Sequence, residues 1–108
     1  MDDRLHAQKR LFGLGIPGVI AALRRAVPTQ SEYPDDCARE YATIAINNLK
    51  MTAGMRSGWP SFIEQGLRLL VLERIFKARG LSISFEMQRW LEAAKASPEI
   101  TATIDRLC

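Results

Sequence analysis

The sequence predicts an all-α protein, a compact bundle of five or six helices around a central helical hairpin, and three observations predict it. Apolar residues recur at three- and four-residue spacing through most of the chain, while alternating strand-like runs are scarce. Prolines and most glycines cluster between those periodic stretches. The run Ser61–Gly80 carries helix signals at both ends and apolar residues on more than one side, so it needs partners around it.

Met1–Phe12 predicts a short first helix, with Asp2 and Asp3 near its positive end and Leu5, Gln8, Leu11 and Phe12 approximating one face. Gly13-Leu14-Gly15-Ile16-Pro17-Gly18 then reads as a hinge or tight turn. Pro17 suits a first helical turn, and Val19, Ile20, Leu23 and Val27 continue at helical spacing. Pro28–Pro34 reads as a loop bounded by prolines. Asp35 or Asp36 is a helix cap, and the helix it opens runs to about Ala53. Its periodic residues are Cys37, Tyr41, Ile44, Ala45, Asn48, Leu49 and Thr52, with Ala38, Ala42 and Ala45 small enough for close helix approach. Asn47 and Asn48 disfavour a helical interior and belong on a polar face or against a neighbouring backbone.

Gly54–Gly58 breaks the chain again, and Pro60 keeps Trp59 out of helical geometry. Ser61 and Glu64 form a capping box for the central helix, and Gly80 stops it after Lys77 and Arg79 in the last turn. Gly66 inside that helix costs about 1 kcal/mol relative to alanine, an expense that close approach by another helix offsets. Ser84 caps the next helix, with Glu86 in its first turn and Ile83, Met87, Trp90, Leu91 and Ala94 on one face. Ser97-Pro98-Glu99 starts the last one, whose apolar face is Ile100, Ile104 and Leu107.

Size and composition bound the rest. The 108 residues suffice for a single helical domain over 1–108 but not for two cores, and 47% hydrophobic residues argue against general disorder. Cys37 and Cys108 form no CxxC unit, which fits a reducing cytoplasm. No signal-peptide pattern is read, and no stretch reaches the roughly 20 apolar residues a membrane-spanning helix needs. The formal charge of +3 permits contact with acidic partners without requiring it.

Nothing in the motifs points to an enzyme. His6 is the only histidine and has no nearby carboxylate–histidine pattern; neither cysteine has a local base. Asp35, Asp36 and Glu40 form the closest carboxylate group, and a helix start accounts for the first two more directly than a metal does. The glycine-rich segment lacks the strand–loop–helix setting of a nucleotide cradle. The expectation is a non-enzymatic chain with no catalytic residues, no metal and no cofactor.

The function expected from sequence is that of an accessory subunit docked in a nucleic-acid-containing assembly, with phage, mobile-element or defence systems as the setting. Lys50, Arg56, Arg68, Arg74, Lys77 and Arg79 gather on and around the central hairpin and would contact a DNA or RNA phosphate backbone without reading bases. Residues 65–95 superficially fit a helix-turn-helix, but Met87, Trp90 and Leu91 occupy the would-be recognition helix, and Glu86 and Glu92 oppose phosphate. Trp59, Met87 and Trp90 are the expected protein-interface residues, turned toward a larger subunit or a second copy. The alternative is a protein-binding adaptor or inhibitor without nucleic-acid contact. A clustered basic face opposite a separate apolar face favours the first reading; one continuous apolar patch with dispersed Arg and Lys favours the second.

Overall fold

Helices form where the punctuation predicts them, with displaced edges. The computed structural model describes residues 15–52 and 60–106, and among these there are five helices and no strand. They are α1 (Gly15–Arg24), α2 (Asp35–Thr52), α3 (Pro60–Arg79), α4 (Phe85–Ala96) and α5 (Pro98–Arg106). The helix predicted over 1–12, the break at Gly54–Gly58, His6, Arg56, Trp59 and Cys108 lie outside the described residues.

Three local predictions are corrected. The stretch from Gly15 to Gly18 is the first turn of α1 rather than a hinge. The first N–H groups of a helix have no intrahelical partner, so a proline at the third position breaks no bond there. Neither Asp35 nor Asp36 caps α2, because the helix already contains both and its first turn closes through the Ala38 N–H to the Pro34 carbonyl at 3.1 Å. Their charges still lie in the first turn, where the helix dipole favours them.

Ser61 is likewise inside α3, which starts at Pro60, and Glu64 pairs with Arg68 one turn on, so the predicted Ser61–Glu64 capping box does not open that helix. The stop of α3 and the starts of α4 and α5 follow their signals. After α3, Gly80 adopts φ +68°, the Leu81 N–H bonds the Phe76 carbonyl at 2.9 Å, and the Gly80 N–H bonds that of Lys77 at 3.4 Å. That is a Schellman stop, and it uses glycine where a side chain would be strained. Ser84 Oγ accepts from the Met87 N–H at 3.0 Å and caps α4. Ser97 closes α4 through its N–H to Ala94 and opens α5 by accepting the Ile100 N–H at 3.3 Å. One serine thus serves two helices.

The Pro28–Pro34 loop holds a single helical turn. The Tyr33 N–H bonds the Thr29 carbonyl at 2.9 Å, and Thr29 and Glu32 exchange the reciprocal bonds of a capping box at 3.0–3.2 Å. This turn drives Tyr33 inward, to 1% exposure.

α3 is the spine, packed against each of the other four helices. Leu67, Leu69, Leu72 and Ile75 are at most 1% exposed, and Phe62, Val71 and Phe76 are buried on further sides. The alanines Ala38, Ala42 and Ala45 bring α2 against it, forming the central hairpin. A Cβ added at Gly66 would lie 2.5 Å from Ile100 Cδ1, so the missing side chain makes room for Ile100 of α5 on the spine, while Ala94 of α4, at 3.5 Å, would be at ordinary contact distance. The radius of gyration, 13.1 Å, is that of a chain this long packed around one core.

Candidate binding surface

Each sequence-selected cation in the described residues has an intramolecular partner, and two of them point inward. Arg74, on α3, donates Nη1 to the Leu23 carbonyl and Nη2 to that of Arg25 at 3.0 Å. These carbonyls belong to the end of α1, which has no glycine stop, so the guanidinium serves as its cap. Arg79, one turn further along α3, donates Nη1 to the Tyr33 carbonyl at 2.5 Å and Nη2 to the Pro28 carbonyl at 2.6 Å. Its Nη1 also pairs with Asp35 at 3.0 Å, and Gln30 Nε2 donates to the other oxygen of that carboxylate at 2.7 Å. The planar fork of arginine suits this work, since it reaches several oxygens in one plane. Loop carbonyls that no ladder satisfies are costly to bury, and charge-assisted bonds to them are among the stronger ones.

The remaining cations form side-chain pairs. Arg68 meets Glu64 at 2.7 Å one turn away on α3, and its side chain is only 18% exposed. Lys77 lies 3.3 Å from Glu73, and Lys95 on α4 reaches the same oxygen at 2.8 Å, which ties α4 to the spine through a buried carboxylate. Lys50, near the end of α2, pairs with Glu86 in the first turn of α4 at 2.5 Å. Of the formal surplus of +3, two charges lie outside the described residues, where Arg4, Lys9, Arg10 and Arg56 outnumber Asp2 and Asp3. Within them, each of the five sequence-selected cations has a carboxylate or a backbone carbonyl as partner.

Apolar exposure is distributed differently from the sequence reading. Met87, expected at an interface, is 2% exposed and belongs to the core; Trp90 is half-buried and packs against that core. The exposed large apolar side chains among the described residues are Phe85 (90%), Met51 (77%) and Ile44 (42%). Sequence reasoning passed over Phe85 as the first residue of a capped helix. At about 100° per residue it sits some 160° around α4 from Met87, opposite the buried Met87–Leu91–Ala94 face, and a helical wheel would have shown it. The Lys50–Glu86 pair brings Met51 and Phe85 into one neighbourhood, because each is the chain neighbour of a paired residue.

Two tyrosines have perturbed phenols. Burial pushes Tyr33 far above its ordinary value, Tyr41, Cys37 and Glu40 add to the effect, and Arg79 opposes it. Tyr41 is also raised, chiefly by burial, with the Arg68 charge acting against the shift. Their rings lie 6.5 Å apart at 53°, a tilted packing within the core. Cys37, between them in sequence, is fully buried and not in a disulfide. Among the described residues no group of three or more His, Cys, Asp or Glu side chains could hold a metal. A shallow cleft of about 370 Å³ is lined by Val27, Pro28, Thr29, Gln30, Asp35, Ala78 and Arg79. Asp35 already balances the Arg79 charge in its wall, so the cleft offers no net charge to an ionic ligand. No protein-family model matches the chain, and no curated protein or solved structure matches it significantly. No described helix is long and apolar enough to cross a membrane.

Proposed function

We propose that this domain is a non-enzymatic docking module that binds another protein through the surface where α2 ends and α4 begins. One observation carries the reading: Phe85 is 90% exposed and Met51 77% exposed, and each is the chain neighbour of a member of the Lys50–Glu86 pair that joins the end of α2 to the start of α4. Single exposed apolar residues need no explanation, but an aromatic ring and a methionine left exposed at neighbouring helix ends, each next to a member of one ion pair, put two large apolar side chains in one region of the surface. Aromatic and methionine side chains are enriched at the centres of protein interfaces. A phosphate-binding surface, by contrast, needs cations that are available. Arg74 and Arg79 are committed to backbone carbonyls, and Arg68, Lys77 and Lys50 face carboxylates. The adaptor reading therefore draws more support than the nucleic-acid reading. The buried Cys37, outside any disulfide, suits a reducing cytoplasm.

The test is affinity capture with the native chain and with Phe85→Ser and Met51→Ser variants as baits. A polypeptide retained by the native bait and lost with both variants is the expected result. Identical capture by all three baits would refute the reading. Oligonucleotide binding that falls steeply with salt and is lost on Lys77→Glu would instead support a phosphate-contacting face.

A further inference from the structure

We infer that α1 is a hinged strap: residues 15–24 leave the spine and lose their helix as one unit while α2–α5 stay folded, with Arg74 as the latch. This motion is separate from the docking surface at Phe85. Helix α1 packs chiefly on α3, whereas α4 packs on α2 and α5 as well as on α3, so those four helices brace one another. Lifting α1 away breaks one substantial helix–helix interface; lifting any other helix breaks at least two.

Off the spine, α1 has little to keep it helical. Its 10 residues fall short of the roughly 12–15 at which isolated helices become even marginal. Gly18 lowers its helix propensity, its first turn holds no acidic side chain, and no left-handed glycine closes its end. Docking therefore supplies the helix. Val19 and Ile20 are buried, Ala22 and Leu23 pack against the core, and Arg74 takes the Leu23 and Arg25 carbonyls.

The chain beyond is fixed differently. Arg79 takes the Pro28 and Tyr33 carbonyls and also pairs with the Asp35 carboxylate, which Gln30 bonds in turn. The Tyr33 ring, 1% exposed, anchors the same turn in the core. Arg74 holds only neutral carbonyls in its clamp, whereas the Arg79 clamp includes an opposite charge, so the Arg74 clamp gives first. Ala26 and Val27, in irregular backbone between the two clamps, are the hinge. Opening uncovers the apolar side of α3 on which Val19 and Ile20 rest, and the body of the bundle stays intact.

Native-state hydrogen exchange of the full chain tests this. Amides of residues 19–24 should exchange at least about 100-fold faster than those in the middle of α3, with a much shallower urea dependence. Arg74→Ala removes bonds made only in the closed state and should speed α1 exchange about tenfold. Ile100→Val weakens the body, which is equally folded whether the strap is open or closed. It should therefore speed exchange in α3 about three- to tenfold and leave α1 unchanged. If α1 exchanges at the rate of α3 and both respond equally to Ile100→Val, the chain opens only as a whole and the strap is overturned. Unchanged α1 exchange in Arg74→Ala overturns the latch. Should that variant fail to fold, Val19→Cys gives a second readout, because residue 19 and Cys37 are both fully buried and a thiol reagent reaches either only through opening. Labelling at position 19 at least about tenfold faster than at Cys37 supports the strap, and equal rates overturn it.

Discussion

Two sets of cations in this bundle do opposite work. Arg74 and Arg79 reach inward and join segments 44 to 51 positions apart in the chain. Lys50 reaches across to Glu86 at the surface, beside two apolar side chains that nothing in the fold covers. The difference lies in what surrounds each charge. The segment from Leu23 to Tyr33 presents carbonyls without a helix or ladder to bond them, and a guanidinium within reach becomes their cap. At the end of α2 Lys50 meets the Glu86 carboxylate instead, and its ammonium group makes a solvent-exposed pair of small energetic value. A cluster of arginines in a sequence is therefore no guide to a binding face until the unbonded carbonyls nearby are located.

The sharpest way to break this comparison is to remove one cation from each region. Arg79→Ala leaves the Pro28 and Tyr33 carbonyls and the Asp35 carboxylate without their donor, and we expect a loss of about 3 kcal/mol in urea unfolding. Arg79→Lys recovers no more than about half of it, because one ammonium group cannot span the three oxygens. Lys50→Ala costs below about 1 kcal/mol. Equal losses in the two variants would remove the distinction between the regions.

The closure of α4 and α5 on the spine gives the next effect. Gly66→Ala gains up to about 1 kcal/mol of helix propensity but drives a methyl group into Ile100 Cδ1, for a net loss of about 1–2 kcal/mol. Ile100→Val removes that carbon. The double variant is expected to be more stable than the sum of the two single changes predicts, a coupling readable in a double-mutant cycle. Independent, additive losses would show that α5 shifts as a body instead.

Tyr33 links the inward region to pH. Its folded phenol is raised by burial, whereas the unfolded one loses its proton near pH 10, so above that pH the unfolded state holds fewer protons than the native state. Stability contributed by the neutral phenol is complete below about pH 10 and is lost as pH rises, by up to about 1.4 kcal/mol per pH unit. Between pH 8 and pH 11 the unfolding midpoint of the native chain should fall more steeply than that of Tyr33→Phe. Parallel slopes would mean that the ring leaves the core before it titrates.

These regions also mark how far the sequence could be read. The α2–α3 hairpin, the Gly80 stop, and the Ser84 and Ser97 caps were legible because each depends on residues within one or two turns. Gly66 signalled a close approach, but only the fold identifies Ile100 as the residue approached. The Thr29–Glu32 capping box was present in the sequence, yet its flanking prolines masked a turn too short to show periodicity. The roles of Arg74 and Arg79 were not legible, because their acceptors are backbone carbonyls, which carry no residue signature and lie across the chain. Met87 shared a face with core residues and was core; Phe85 lay opposite it and held the exposure.

The smallest expected effect is the one that keeps the two regions distinct. Phe85→Ser should change stability by less than about 0.5 kcal/mol, because a side chain 90% exposed has little buried area to lose. Helix α4 keeps its Ser84 cap and its Met87–Leu91–Ala94 face in that variant, so its unfolding cooperativity should be unchanged. The variant and the native chain should share one urea midpoint to within that margin. A loss comparable with that of Gly66→Ala in dilute solution would place the ring inside the fold, and the surface between α2 and α4 would then have no aromatic anchor for a partner to grip.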